Sequence, residues 1–155
     1  YFYKEARKEG VTRQVQKQVF NRVLSLAKDS GKPALIHSRG SWQDCLDMAL
    51  ALKVERAVFH WYSGPMAVLE KIVASGYFIS ASPAAEYSLP HREAINKAPL
   101  DRLLLETDSP VAYKGVASEP AHVLRTLKAV VDLKNSTEEQ VAIATTSSAK
   151  SLFGL

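Results

Sequence analysis

Three residues able to bind a metal ion each close a short apolar run: His37 after "ALI", His60 after "AVF" and Asp108 after "LLLET". Two imidazoles and a carboxylate suit Zn²⁺ or Mn²⁺, and the carboxylate also suits Mg²⁺. Their joint chemistry would be to activate a water and to stabilise charge on a hydrolysed group. Each has a plainer reading. A lone histidine at a strand end is more often a hydrogen-bonded structural residue than a ligand. In "LLLETDSP", Asp108 or Ser109 could merely cap the next element. Three such coincidences are much rarer than one.

Groups suited to a phosphodiester sit nearby. Arg39 lies two residues past His37, where a guanidinium could grip phosphate oxygens in pairs or form a structural ion pair. Ser63 and Gly64 precede a helix start, where free backbone N–H groups favour an anion. Trp61 and Tyr62 could stack on a base or wall the site. His91 and His122 fall at helix starts and are expected to be surface or capping residues, His122 being nearer the site.

Positioning these residues requires an alternating chain. Thr12 caps a helix whose apolar positions are Val15, Val19, Phe20, Val23, Leu24 and Ala27, ended by Gly31. "PALIHS" reads as a buried strand, Ser41 and Asp44 as a capping box for a second helix, and "RAVFH" as a second strand. Pro65 suits the first turn of a third helix. "GYFISA" is a third strand, "PHREAINKA" a short helix and "DRLLLET" a fourth strand. A polar loop from Ser109 to Ser118 leads to helices over Glu119–Leu133 and from Thr137, the latter with Gln140 in capping-box position. A final turn, "AKSLFGL", is expected to pack Leu152 and Phe153 on the body. Buried strands alternating with helices imply right-handed βαβ units and a parallel sheet, with all three candidate ligands at one edge. Periodicity alone allows a doubly wound sheet or a (β/α) barrel, and both build their sites on that edge.

Composition sets outer bounds. A chain of 155 residues suits one domain, residues 1–155, and 46% hydrophobic with 23% charged residues is ordinary for a soluble protein. No apolar run approaches the roughly 20 residues that span a bilayer, so no membrane partner is expected. The lone Cys45 cannot form an internal disulfide, which fits a reducing cytoplasm, and reads as a small buried apolar residue. Net charge is +4, concentrated in residues 1–32, which hold eight Lys and Arg against three Asp and Glu. That leans toward a polyanionic partner, although a solvated helix face gives the same pattern.

"KPALIHSRG", "AVFHWYSG", "GYFISAS" and "LLLETDSP", in that order, resemble the C-terminal half of a TatD-related deoxyribonuclease, and "EPAHV" with "AKSLFGL" resembles that family's ending. The resemblance covers nearly the whole chain. It implies a metal-dependent (β/α)₈ TIM-type barrel, of which this chain would supply about the last four βα units. The implied activity is hydrolysis of DNA phosphodiester bonds, commonly 3′-to-5′, with two divalent metal ions in the intact site. It places His37 and His60 on one metal and Asp108 near the other, as ligand and proton acceptor.

Departures are few. Gly40 stands where the family usually has an Asp, Trp61-Tyr62 replaces a usual Cys-Phe, and Ser118 stands where an Asn often precedes the Glu119-Pro120 pair. Glu119 is therefore only a candidate substrate contact. The family's His-x-His pair and metal-bridging Glu have no counterpart here. That Glu sits just before a Gly-Leu-Asp, and "YFYKEARKEG" resembles the family's segment immediately downstream of it. The expected partners are thus DNA and either the N-terminal half of the same barrel or a second copy of this chain. Two other readings stay open: a related barrel hydrolase acting on an amide or lactone, and a non-catalytic, self-associating half-barrel.

Overall fold

Apolar residues spaced for helices and for buried strands take turns along the chain, and the elements obey that alternation. The computed structural model describes residue 10 and residues 12–155; the opening stretch "YFYKEARKE", on which the join to an upstream Gly-Leu-Asp rests, lies outside the described residues. Helix α1 (Arg13–Asp29) starts at Thr12, whose side chain accepts the Val15 N–H. Next in the chain come strand β1 (Ala34–Ile36), α2 (Trp42–Ala51), β2 (Ala57–Phe59), α3 (Met66–Ala74), β3 (Phe78–Ala81), α4 (Leu89–Lys97) and β4 (Leu103–Leu105). All four strands pair in parallel, in the order β1-β2-β3-β4. The expected parallel sheet is present.

The register puts Ile36 beside Phe59 and Ile79 beside Leu103. These four are essentially buried and join Leu46, Leu69, Ile72, Ile95 and Val130 in the main core. The opposite sheet face carries a smaller cluster of Val58, Phe78 and Leu104 covered by Leu152. On that same face, at the edge strand, Leu35 is 65% exposed. Helix α1 is similarly half-covered: Leu24 is buried, while Val15, Val19, Val23 and Leu26 remain exposed.

Three local expectations change. The capping box does not form: Ser41 makes no side-chain capping bond, its N–H goes to the Ser38 carbonyl at 2.7 Å, and the Asp44 carboxylate takes the Arg13 guanidinium and, at 2.9 Å, the Lys17 ammonium of α1. Two cations outcompete a single backbone N–H. The stretch Ser109–Ser118 is not simply a loop: β5 (Ala112–Tyr113) and β6 (Val116–Ala117) form an antiparallel hairpin. Its turn, Lys114-Gly115, takes left-handed φ values of 51° and 82°, the conformation that tight two-residue hairpins require. Finally, α5 (Val123–Lys134) comes after a single 3₁₀ turn at Pro120–His122, and α6 (Glu138–Phe153) runs unbroken through "AKSLF". The α6 capping box of Thr137 and Gln140 forms as expected. Leu152 is buried, but Phe153 lies on the outer side of that last turn, 43% exposed.

Candidate active site

His37 and His60 stand one residue beyond β1 and β2, and the ladder continues into them through the His60 N–H to the Ile36 carbonyl at 3.0 Å. The two imidazoles therefore lie side by side, stacked with centroids 5.3 Å apart. Beyond β4, the Glu106 N–H bonds the Ala81 carbonyl at 2.9 Å and extends the strand toward the same rim. Asp108 then turns inward with a left-handed φ of 49°, a conformation that Asp tolerates better than most side chains.

The His60 ring is held at both nitrogens. Nδ1 meets Glu106 Oε2 at 2.8 Å, and Nε2 faces Asp108 Oδ2 at 3.5 Å. Burial by itself would lower the His60 pKa, but the hydrogen bond and charge of Glu106, with the charge of Asp108, outweigh it and raise the value. His37 moves the other way, first through burial and then through the neighbouring His60. Of the stacked pair, His60 therefore takes up a proton more readily than His37. The other Glu106 oxygen, Oε1, is buried with no hydrogen-bond partner among the described residues.

A cavity of about 150 Å³ opens beside the histidines, lined by Ser38, Arg39, Trp61, Ser63 and Ser88 as well as the two rings. The expected Arg39, Trp61 and Ser63 are therefore at the rim. Trp61 takes a left-handed φ of 43°, its N–H donating to Ser80 Oγ at 3.0 Å, and its indole packs 5.2 Å from the Tyr113 ring of the hairpin. It is a wall of the cavity.

Tyr62 does not face substrate. It is fully buried, and its hydroxyl donates to the Pro65 carbonyl at 2.7 Å, because the turn at Trp61 sends the next side chain into the core. Glu119 pairs instead with His122: its N–H donates to Nδ1 at 3.3 Å, and the Glu119 carboxylate lies 3.6 Å from Nε2. The two cap the 3₁₀ turn, so neither joins the cavity lining. His91, expected at the surface, is fully buried. Glu106 is the residue that the sequence should have offered, since it lies two positions before Asp108 on the same strand face. Tyr113 and Ser88 come from a hairpin and a helix start with no local signal of chemistry.

Among the described residues, no group of three or more His, Cys, Asp or Glu side chains closes into a metal-holding cage. What converges is partial: two stacked imidazoles, with Asp108 close to one. The donor chemistry nonetheless fits a divalent ion. One ring nitrogen of His60 is anchored by a carboxylate, which orients the other as a donor, the usual support of a metal-bound imidazole.

The model of the family "TatD related DNase" matches residues 3–154. The chain belongs to that family. Among TatD relatives, an uncharacterized metal-dependent hydrolase TatD of Mycobacterium tuberculosis is 34% identical over 148 residues, 91% of this chain and 56% of that protein. The human deoxyribonuclease TATDN3 is 30% identical over 146 residues, 93% of this chain and 53% of that protein. The crystal structure of YJJV, a TatD homologue from Escherichia coli K12, superposes with a TM-score of 0.83 at 27% identity. That match covers 92% of this chain and 58% of the other. The chain thus spans a little over half the length of the relatives it matches.

Proposed function

We propose that this chain carries the second half of a TatD-type active site for divalent-metal-dependent hydrolysis of phosphodiester bonds in DNA, as a 3′-to-5′ exonuclease. The observation that carries the reading is His60, anchored by Glu106 and turned toward Asp108 at a strand-end rim. His37, His60 and Asp108 would hold the metal side of the site. When bound, divalent ions (two in the intact site, as Mg²⁺, Mn²⁺ or Zn²⁺) supply an activated water and neutralise developing charge. Asp108 accepts the proton of the attacking water. Arg39 grips a phosphate oxygen, Ser63 adds a hydrogen bond, and Trp61 bounds the space a base can occupy.

The four strands and their helices are read as the last four units of a (β/α)₈ barrel, one domain over residues 1–155. Leu35 and the exposed valines of α1 would then meet the N-terminal half of the same barrel, a second copy being the other way to cover them. That half would also supply the remaining ligands. Buried, unpaired Cys45 suits a cytoplasmic setting. No described helix is long and apolar enough to cross a membrane. An amide- or lactone-hydrolysing relative has less use for Arg39 at the rim, which favours the nuclease reading.

The test is metal content. His37→Ala and His60→Ala are each expected to lower bound metal in the full-length protein, measured by elemental analysis after gel filtration. Undiminished metal in both variants would remove these residues from the site.

A further inference from the structure

His91 is fully buried, and no role in the chemistry above uses it. Its partners define its state. The Ser82 backbone N–H, 3.1 Å from Nε2, can only donate, so Nε2 is unprotonated and accepts. The proton is then on Nδ1, which donates to the Tyr62 carbonyl at 2.7 Å. One neutral ring on the first turn of α4 therefore ties the segment after β2 to the segment after β3.

The tie falls on a strained stretch. Trp61 lies between the ligand candidate His60 and Tyr62 and holds a left-handed φ of 43°, costly for a bulky aromatic residue. Its backbone is pinned upstream by the Trp61 N–H to Ser80 Oγ and downstream by the Tyr62 carbonyl to His91. The His91 ring also lies edge-on to the Trp61 indole, with centroids 6.5 Å apart. Each bond restrains the backbone directly after His60 against that strain, and so bears on how His60 presents its ring to Glu106 and Asp108. Burial drives the His91 pKa down, to about 4, so the latch keeps its neutral form throughout the neutral range.

We propose that His91 is a positioning residue for the active site: through the Tyr62 carbonyl it holds the left-handed turn at Trp61, and so aims His60 at the metal. The inference rests on His60 acting as proposed above, and the experiment separates the two. Mn²⁺ affinity is measured by calorimetry on the full-length protein, well below its melting temperature, for three exchanges at position 91 and for His60→Ala. His91→Asn keeps a donor where Nδ1 stood, whereas His91→Gln reaches Ser82 but presents no donor to Tyr62. His91→Leu loses both bonds.

The expected result is Mn²⁺ binding within about threefold of wild type for His91→Asn, and weakened about tenfold for His91→Gln and, where it folds, His91→Leu. Trp61 fluorescence, read in a Trp42→Phe background, should shift for His91→Gln and stay in place for His91→Asn. Equal affinities for His91→Asn and His91→Gln, with only their melting temperatures lowered, would reduce His91 to a packing residue and overturn the proposal. Wild-type Mn²⁺ binding by His60→Ala would instead overturn the metal site itself, and the proposal with it.

Discussion

The two faces of the four-stranded sheet are made of alternate residues of the same strands, yet they are finished differently. On one, Ile36, Phe59, Ile79 and Leu103 vanish beneath the helices. On the other, Val58, Phe78 and Leu104 share a small cluster with Leu152, and Leu35 at the edge meets water. The second face also points its far end, through His37, His60 and Glu106, into the candidate site. Strand pleat gives one face to the main core and turns the end of the other toward the candidate site, with a single residue step separating a core Phe59 from a ligand candidate at His60.

That contrast is sharpest at Phe59. Replacement of this fully buried ring by Ala should cost about 3–5 kcal/mol, read from urea unfolding, because the helices above it cannot close the cavity. A cost under about 1 kcal/mol would mean that the covered face is not the principal core.

Acid should find the packed region before the rim. Unfolded, His91 titrates near 6.5; folded, at about 4, because burial penalises its charge. Above pH 6.5 it is neutral in both states and its contribution is complete. As pH falls toward 4, the unfolded chain gains a proton that the folded one refuses, and stability drops by about 3 kcal/mol in all. His91→Asn should flatten this part of the stability–pH curve. An unchanged slope in that variant would assign the loss to other groups.

At the rim the balance reverses. Asp108→Asn should keep the melting temperature within a few degrees while cutting metal-dependent DNA hydrolysis at least about a hundredfold, as for loss of a general base or ligand. Turnover within a fewfold of wild type would clear Asp108 of a catalytic role. Smallest of all, Leu35→Ala should change the stability of the 155-residue chain by less than about 0.5 kcal/mol, since the side chain is already 65% exposed. A loss of about 2 kcal/mol or more from the same exchange in the full-length protein would show that a further segment covers this face.

Much of this is legible in the sequence alone. The strands, the helices between them, the parallel sheet and the family all derive from apolar runs, turn residues and four ordered motifs. The rim positions of His37, His60 and Arg39 do too, because a strand end is a local feature. The illegible remainder depends on contacts between distant segments. Asp44 looks like a cap until two cations of α1 arrive beside it. His91 looks like a surface residue at a helix start until β2 and β3 bring a carbonyl and an N–H to its two nitrogens. Tyr62 looks like a stacking platform until the left-handed turn at Trp61 sends it inward. Glu106 is the exception, since the two-residue period of its own strand put it on the Asp108 side from the start.

Strand order in the sheet is also the order of synthesis, β1-β2-β3-β4. Each strand after β1 finds its partner already made, one helix back along the chain, so among these four no strand has to wait for a distant one. Assembly can proceed by accretion, with the smallest loop closures the topology permits. Because β4 is the last of the four to be added, the rim is finished only when Glu106 and Asp108 emerge, and a nascent chain shows two histidines to the cell well before it has the carboxylates that hold His60.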